Sequence, residues 1–222
     1  HLVSVNRGRT GDSVTVFDGL GSEWQCELTV ANKREAVLRG SQFTRFEPLP
    51  YQIALAQALP KGKGLENIIR KATEIGIQHI FPLTSERTEA KIRSDREKTK
   101  SEKWLTAAIE GAKQSGNPFL PQIHPIQPLE RFLENDAHAF SLRLIASLQP
   151  NSLSLKEAMP SNRLECKRSG VFLVGPEGDF SENEYRQINS GGFNPITLGP
   201  FVLKCETAAV NALSILRYEW SA

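Results

Sequence analysis

The sequence is poor in the features that would mark a secreted, zinc-binding or membrane-embedded protein. Its 222 residues include only three cysteines, Cys26, Cys166 and Cys205. Because they are odd in number, widely spaced and never in a C-x-x-C pair, neither a disulfide framework nor a zinc site is indicated. No run of apolar residues approaches the roughly 18 that a membrane span needs, and no signal-peptide pattern opens the chain. We therefore expect a cytoplasmic protein with no metal site and no membrane association.

An excess of charge of one sign is also missing. Lys and Arg number 27 against 25 Asp and Glu, which gives a formal net charge of +2. A value this small does not announce a nucleic-acid binder, so any such surface has to come from a local patch. Hydrophobic residues at 39% and charged residues at 23% are typical of a globular protein that buries a core.

Two regions of different pattern follow one another along the chain. Residues 1–47 mix β-branched and apolar residues, as in Val14–Asp18 and Trp24–Ala31, between glycine-containing turns. This pattern predicts a small β-barrel or sandwich. In residues 48–222 short apolar segments alternate with segments of helical period, which predicts an α/β domain with a mostly parallel sheet. Pro48–Pro50 is the expected linker between the two.

The α/β region yields specific elements. The apolar run Tyr51–Ala58 opens it. Strands are predicted at His79–Pro82, Phe140–Ala146 and Val171–Val174. Helices are predicted over Leu65–Ile75 with Gly76 as the stop, Asp95–Gln114, Ser181–Asn189 and Cys205–Trp220. On the second of these helices, Trp104, Leu105, Ala108 and Ala112 form the expected apolar side.

The sharpest local motif is a glycine-containing turn after an apolar strand. Val171–Val174 runs into Gly175-Pro-Glu-Gly178, and a capping box of Ser181 and Glu184 opens the next helix. Ligands of open α/β sheets bind beyond the carboxyl ends of strands, and glycine lets the backbone approach a ligand closely. A tight strand-to-helix connection without a ligand is the alternative. The motif is not the G-x-G-x-x-G fingerprint of dinucleotide-binding domains.

A second loop of the same kind lies about twenty residues further on. Gly199-Pro200 follows a short strand and precedes the helix that starts near Cys205. Glu206 falls in the first turn of that helix, where a carboxylate can simply complement the helix dipole. Two glycine-bearing loops at strand ends indicate one shared site.

In order along the chain, these motifs resemble the RsmE family of the SPOUT superfamily, S-adenosylmethionine-dependent RNA methyltransferases that modify N3 of a uridine in 16S ribosomal RNA. The resemblance rests on L-V-G-P-E-G at 173–178, L-G-P at 198–200 and L-K-C-E-T-A at 203–208. Upstream, K-A-T-E-I-G at 71–76, S-E-R at 85–87 and the helix with Trp104 and Gln114-Ser115 are similar to family segments. The opening residues resemble the end of an N-terminal PUA-like barrel. The resemblance therefore covers essentially the whole chain.

This resemblance implies a fold and a cofactor. Residues 1–47 would be a PUA-like β-barrel, which we expect to be truncated because the chain begins at His1 rather than at Met. Residues 48–222 would be a SPOUT domain whose mostly parallel sheet carries a trefoil knot. S-adenosylmethionine would bind between three knot loops, mainly through backbone groups and apolar walls. The implied cofactor-binding residues are Leu148, Val174, Gly175, Pro176, Glu177, Gly178, Leu198, Gly199, Leu203 and Thr207. For Leu148, plain core packing is the alternative.

The implied chemistry places catalysis at the second loop. Methylation of N3 needs an in-line approach, loss of the N3 proton and stabilisation of the negative charge that develops on the base. No histidine lies in the loop segments, which disfavours a histidine general base. Lys204 is the electrostatic candidate, at a position where the family usually has arginine. Glu206 would orient Lys204 or accept a proton, directly or through water.

Three positions in the two glycine-containing loop segments depart from the family pattern. Asp179 replaces the last glycine of G-P-E-G-G and is compatible with capping of the following helix, and Phe201 replaces a frequent arginine. Lys204 cannot supply the bidentate fork of a guanidinium group. These departures leave open a SPOUT enzyme that acts on a different RNA position. A ribosome-associated RNA-binding protein without catalysis is the third possibility, and the retained glycine loops argue against it.

Candidate RNA-binding residues come from both regions. Arg87, Lys91 and Arg93 begin a run of basic residues, although interspersed acidic residues are also compatible with a merely solvated helix and loop. Lys61 and Lys63 lie beside glycines without forming a Walker motif. Arg7 and Arg9 belong to the β-rich region. The expected partners are 16S ribosomal RNA or the small ribosomal subunit, and a second copy of the chain in a homodimer.

Overall fold

The computed structural model describes residues 2–3, 7–32, 34–88, 94–159 and 168–221, with the side chains of residues 94–97 left aside. The chain divides into two compact units. One comprises His1–Pro48 with Pro118–Leu120, and the other Leu49–Asn117 with Pro121–Ala222.

The first unit is an antiparallel sheet, as the β-rich pattern predicts. Its strands are β1 (Ser13–Phe17), β2 (Ser22–Ala31) and β3 (Ala36–Arg45), in the order β1-β2-β3. Asp18 closes the turn between β1 and β2, because its Oδ1 accepts hydrogen bonds from the backbone N–H groups of Leu20 at 2.7 Å and Ser22 at 3.0 Å.

The second unit is built on a parallel sheet of seven strands, which confirms the predicted α/β class. The strands are β4 (Tyr51–Ala58), β5 (His79–Thr84), β6 (Gln122–Ile123), β7 (Gln127–Pro128), β8 (Leu142–Ala146), β9 (Arg168–Val174) and β10 (Asn194–Ile196). Their order is β10-β8-β9-β4-β5-β6, and β7 pairs with β5 as well. Every pairing in this sheet is parallel. The ends of β8, β9 and β10 therefore lie side by side.

Six α-helices belong to this unit in the described residues: α1 (Gly64–Ile75), α2 (Ser94–Ser115), α3 (Leu129–Asn135), α4 (Leu155–Ala158), α5 (Glu182–Ser190) and α6 (Cys205–Ser221). The predicted stop of α1 is confirmed, since Gly76 has a φ of 86° and its N–H donates to the carbonyls of Ala72 and Thr73. Helices α3 and α4 were not predicted, because segments of seven and four residues are too short for a helical period to show.

The core lies where the sheet meets the helices. Strand β4 is buried at every position except Gln52. Helix α6 packs on α1, β4 and β9, and small residues such as Ala209 and Ala212 allow that close approach. On α2, Trp104, Ala108 and Ala112 are buried as predicted, but Leu105 is 49% exposed. Leu105 was wrongly placed, because one residue along a helix turns the side chain by about 100°. No described helix is long and apolar enough to cross a membrane.

Candidate functional site

Three loops at adjacent strand ends enclose one cavity of about 310 Å³, which we call the main cavity. The loops follow β8, β9 and β10, and the last of them leads into α6. Because parallel strands present their carboxyl ends at one edge of a sheet, these loops converge there, as ligand sites in α/β sheets do. The lining residues are Ala146, Ser147, Leu148, Val174, Gly175, Pro176, Glu177, Asp179, Leu198, Gly199, Phe201, Val202, Leu203, Lys204, Cys205 and Ala208.

Most residues that the sequence assigns to the cofactor lie in this wall. Leu148, Val174, Gly175, Pro176, Glu177, Leu198, Gly199 and Leu203 all line the main cavity, whereas Gly178 and Thr207 do not. Leu148 is 60% exposed, so the alternative that it only packs in the core is wrong. Three further wall residues, Ser147, Val202 and Cys205, belong to the loops that the resemblance implies. Ala208 on α6 was not predicted, because its proximity to the cavity depends on how the loops fold.

Two glycines in the wall have steric reasons to be glycine. A Cβ on Gly175 would lie 3.2 Å from the ring of Phe180, which is tighter than ordinary packing allows. Gly199 has a φ of 119°, a backbone conformation that residues with a Cβ rarely adopt. Packing on Phe180 therefore accounts for glycine at 175, and the backbone conformation accounts for glycine at 199.

Asp179 has an unusual backbone conformation at the end of the loop after β9. Its φ is 60°, in the left-handed region that non-glycine residues seldom occupy. Its Oδ1 accepts hydrogen bonds from the backbone N–H of Phe180 at 2.8 Å and from the hydroxyl of Tyr185 at 2.9 Å. The cap of the following helix is made by Ser181, whose hydroxyl accepts from the N–H of Glu184 while Glu184 accepts from the N–H of Ser181. The predicted capping box is thus confirmed, and Asp179 has a different role.

Tyr185 connects two of the three loops. Burial first, and then the neighbouring carboxylate of Asp179, raise the pKa of the Tyr185 hydroxyl to about 12, although hydrogen bonds with Ser147 and Gln149 act in the opposite direction. At neutral pH the phenol therefore keeps its proton. It can donate to Asp179 while it contacts the loop that follows β8.

The side chain of Gln57 holds the start of the loop after β9 by hydrogen bonds. Its side chain is fully buried, and Nε2 donates to the carbonyl oxygens of Ala58 at 2.8 Å, Gly175 at 3.3 Å and Val174 at 3.4 Å. Its Oε1 is buried and accepts no hydrogen bond from the described residues. A polar residue near the carboxyl end of the apolar strand β4 was the available sequence signal for this contact.

The loop after β10 ends and α6 begins at Lys204, Cys205 and Glu206. Lys204 is exposed and lines the main cavity, and its carbonyl accepts the N–H of Ala208 at 2.8 Å. Burial and then the charge of Glu177 raise the pKa of the Cys205 thiol to about 11, so this thiol is neutral at pH 7. Glu206 does not line the cavity; its Oε1 lies 3.2 Å from the point where a Cβ on Gly64 would be.

A second, more open cavity adjoins the main one and shares Glu177 with it. This side groove has a volume of about 450 Å³ and is lined by Lys61, Glu86, Arg87, Thr88, Glu177 and Gly178. The backbone N–H of Lys61 donates to Glu177 at 3.0 Å, and Arg87 Nη1 donates to the carbonyl of Gly178 at 2.8 Å. Two of the basic residues predicted to meet RNA thus lie next to the main cavity.

The other predicted RNA contacts are scattered. Lys63 lines a separate surface depression with Glu66, Arg70 and Lys103. Arg9 belongs to the N-terminal unit, as does Arg7, which has a φ of 55°. Lys91 and Arg93 lie outside the described residues.

Histidines do not contribute to the wall of the main cavity in the described structure. His79 and His124 instead pair with each other, with 3.2 Å between Nδ1 of the first and Nε2 of the second. His138 is exposed on the short 3-10 turn after α3.

Comparison with protein families covers nearly the whole chain. Residues 47–217 match the family described as "RNA methyltransferase domain". Residues 1–39 match the family described as "RNA methyltransferase PUA domain". The first match alone spans more than half of the chain.

Individual relatives agree with these matches. The chain is 34% identical to ribosomal RNA small subunit methyltransferase E of Synechocystis, over 96% of this chain and 68% of that protein. It is 30% identical to the Bacillus subtilis protein of the same name, over 99% and 86%.

Solved structures give the same result at the level of the fold. A Legionella pneumophila methyltransferase with bound S-adenosylmethionine superposes with a TM-score of 0.91 at 30% identity, over 99% of this chain and 88% of that one. Ribosomal RNA small subunit methyltransferase E of Neisseria gonorrhoeae, also bound to S-adenosylmethionine, gives 0.86 at 28% identity, over 98% and 87%.

Proposed function

This chain belongs to the RNA methyltransferase family whose members include ribosomal RNA small subunit methyltransferase E, and from that premise we propose that it methylates N3 of a uridine in 16S ribosomal RNA with S-adenosylmethionine as the methyl donor. The observation that carries this proposal is the convergence of three strand-end loops on one cavity with Lys204 at its edge. The relatives' name supports the small-subunit RNA as substrate; the N3 position rests on the resemblance of motifs.

The main cavity fits this cofactor. Its volume of about 310 Å³ lies at the lower end of the range for small-molecule sites, and its wall combines apolar side chains with exposed backbone. Leu148, Val174 and Leu203 would enclose the adenosine part. The close approach permitted at Gly175 and Gly199 leaves backbone N–H and C=O groups to hold its polar edges.

When bound, S-adenosylmethionine supplies a methyl group activated by a sulfonium centre. The protein has to orient the acceptor base, allow loss of its N3 proton and stabilise the resulting negative charge. Lys204 is placed for the last task, since it is a flexible cation at the cavity edge. It also sits at the N-terminal end of α6, where the helix dipole adds a positive potential.

Glu206 takes the supporting role in this scheme. Its position outside the cavity wall and beside Gly64 favours orientation of Lys204, or a proton path through water, over direct contact with the base. Glu206 also complements the dipole of α6 from the first turn. The two residues thus divide the work into charge stabilisation by Lys204 and positioning by Glu206.

RNA would enter along the side groove. Lys61 and Arg87 bring positive charge next to Glu177, which belongs to both cavities, so a phosphate in the groove would place its neighbouring base at the methyl donor. Arg7 and Arg9 would contact RNA as part of residues 1–47, a PUA-like RNA-binding domain, while residues 48–222 form the SPOUT domain. Lys63, Lys91 and Arg93 complete the set of basic residues in this proposal.

Two structural features belong to the same proposal. The chain path through the strand-end loops would form the trefoil knot of SPOUT enzymes. A homodimer would cover exposed apolar residues, with Tyr218 on α6 and Val202 at the cavity edge, 75% and 78% exposed in the single chain, as the best-placed contacts. Cytoplasmic localisation follows from ribosomal RNA as substrate.

The decisive experiment maps modified nucleotides in 16S ribosomal RNA from a strain that lacks the gene, complemented with the wild type or Lys204→Ala. We expect one uridine to lose N3 methylation in the deletion strain, to regain it with the wild type and to stay largely unmethylated with the variant. Methylation at another nucleotide would point to a related enzyme with a different target. Unchanged RNA and no heat of S-adenosylmethionine binding would point to a non-catalytic RNA-binding protein.

A further inference from the structure

We propose that the carboxylate of Asp179 makes the main cavity selective for the cationic methyl donor over its uncharged product, S-adenosylhomocysteine. This inference rests on the proposed function, because it concerns how that cofactor is distinguished. It assigns a binding role to a residue at which the chain departs from the family pattern it resembles.

The first argument is the placement of the carboxylate. Asp179 lines the main cavity, and two hydrogen bonds to Oδ1, from the N–H of Phe180 and the hydroxyl of Tyr185, fix the orientation of the side chain. Both of these bonds use Oδ1 rather than Oδ2. One oxygen of the group is thus used for anchoring while the other stays available to a ligand, and a carboxylate can accept from several donors at once.

The second argument is the backbone. At a φ of 60° a glycine would be accommodated without strain, so the turn itself does not require a carboxylate. An aspartate in this region carries a conformational cost of order 1 kcal/mol. Its anchoring bonds offset that cost, and the net result is a negative charge held at the wall of the cavity.

The third argument is the distribution of charge around the cavity. Glu177 and Asp179 are the two acidic residues in its lining, and both belong to the loop after β9. Lys204 and the N-terminal end of α6 supply positive potential from the loop after β10. Tyr185 and Cys205 add no charge at neutral pH, because the pKa of each lies well above 7.

This polarity matches the methyl donor better than the product. S-adenosylmethionine carries a carboxylate, an ammonium group and a sulfonium centre, whereas transfer of the methyl group removes the sulfonium charge. The positive side of the cavity suits the ligand carboxylate, and Asp179 with Glu177 suits the two cationic centres. Since Coulomb attraction acts over the width of such a cavity, only the donor gains from the second cation.

The test compares binding of both ligands to the wild type, to Asp179→Asn and to a matched control, Glu182→Gln. Asparagine keeps an oxygen that can accept from Phe180 and Tyr185 and removes only the charge. Glu182 is an exposed carboxylate on α5 outside the cavity lining. Isothermal titration calorimetry gives the two dissociation constants, and their ratio is the readout.

We expect Asp179→Asn to weaken binding of S-adenosylmethionine by about tenfold and to weaken S-adenosylhomocysteine, which keeps only the ammonium group, by much less, so that the ratio collapses. Sinefungin, which carries an ammonium group in place of the sulfonium, should weaken in parallel with the donor. Glu182→Gln should leave the ratio as in the wild type. Asp179→Gly, which relieves the left-handed backbone, should collapse the ratio in the same way even if asparagine disturbs the turn.

Two results would overturn the proposal: an unchanged ratio in both Asp179 variants, or an equal loss of both ligands, which would make Asp179 only a tether for the loop. A wild-type protein that binds neither ligand would instead refute the proposed function itself. The two kinds of failure are therefore distinguishable in one set of titrations.

Discussion

Arg87 Nη1 donates a hydrogen bond of 2.8 Å to the carbonyl oxygen of Gly178, across 91 residues of sequence. The bond ties the loop after β5 to the glycine turn after β9. A second tie runs parallel to it, since the backbone N–H of Glu86 donates to the buried carboxylate of Glu184 at 2.8 Å. An arginine predicted to bind RNA therefore also braces the turn after β9, whose neighbouring residues line the main cavity.

Loss of the hydrogen bond between Arg87 and Gly178 should weaken the binding of both S-adenosylmethionine and RNA. We expect Arg87→Ala to weaken S-adenosylmethionine binding by about threefold, because the Gly178 carbonyl loses a charge-assisted hydrogen bond. RNA affinity should also fall, and the slope of its logarithm against salt concentration should decrease by about one phosphate contact. Calorimetry and filter binding across a salt series measure the two effects. Lys63→Ala is the control, since Lys63 does not touch the turn; a cofactor affinity unaffected by Arg87→Ala would contradict the bracing role.

The second prediction concerns Gln57, whose amide nitrogen faces three carbonyl oxygens. In Gln57→Glu a carboxylate would replace the donor, and burial against acceptors would raise the pKa of that carboxyl above its ordinary value near 4.3. The folded state then holds a proton that the unfolded state has released, so stability relative to the wild type should fall as pH rises above about 4.

Urea denaturation of Gln57→Glu and the wild type between pH 4 and 8 checks this sign. The difference in unfolding free energy should grow by up to about 1.4 kcal/mol per pH unit until the folded-state pKa is reached. Gln114→Glu on α2 is the control, since Gln114 is exposed, and its stability curve should stay nearly parallel to that of the wild type. A pH-independent difference for Gln57→Glu would mean that the site is open to water.

The features that the sequence predicts correctly depend on residues that are close together in the chain. Helix α1, with its glycine stop, and the strand–turn–capping-box unit around Gly175 and Ser181 are specified by neighbours in the chain, and both were confirmed. The two glycine-containing loops were also predicted from local sequence to form one shared site, and residues of both line the main cavity. Short helices α3 and α4 carried no readable period and were missed.

What could not be predicted depends on contacts that are distant in sequence. Gln57 meets Gly175 only because β4 and β9 are neighbours in the sheet, and Tyr185 reaches Ser147 only because the ends of β8 and β9 lie together. Leu105 was misplaced because periodicity gives a face of a helix but not the width of its contact. The hydrogen bond between Tyr185 and Asp179 could not be predicted from the turn alone, because it depends on where Tyr185 lies in the fold.

The third prediction concerns the paired histidines of the second unit. Burial lowers the pKa of His79 and of His124 below the ordinary value of 6.5, and the charge of His79 lowers the pKa of His124 further, although Asp136 acts in the opposite direction. Both rings are therefore neutral in the folded state at a pH where the unfolded state already binds protons. Stability should be complete above pH 7 and fall as pH drops through 6.5 toward 5.

Thermal unfolding between pH 5 and 8 measures this dependence. His124→Gln should flatten the curve in that range, since it removes one titrating ring and relieves the other. His138→Gln is the matched control, because His138 lies outside the pair and is exposed, and it should keep the wild-type slope. A curve for His124→Gln as steep as that of the wild type would show that other groups control the acid response.

The fourth prediction concerns Gly111, where α2 crosses α1 at close range. A Cβ at this position would lie 2.5 Å from the backbone carbonyl oxygen of Arg70 and 3.2 Å from the Cβ of Thr73. Alanine in a helix interior normally stabilises by about 1 kcal/mol relative to glycine. Here the helices would have to separate, and such overpacking costs about 1–3 kcal/mol. Gly111→Ala should therefore lower the free energy of unfolding, opposite in sign to helix propensity.

Gly40→Ala on β3 is the control, because nothing lies within 4 Å of its Cβ position and its φ is not left-handed, so its stability should change by less than about 0.5 kcal/mol. Urea denaturation of both variants gives the comparison, and a stabilised Gly111→Ala would mean that the two helices are not in contact at this point.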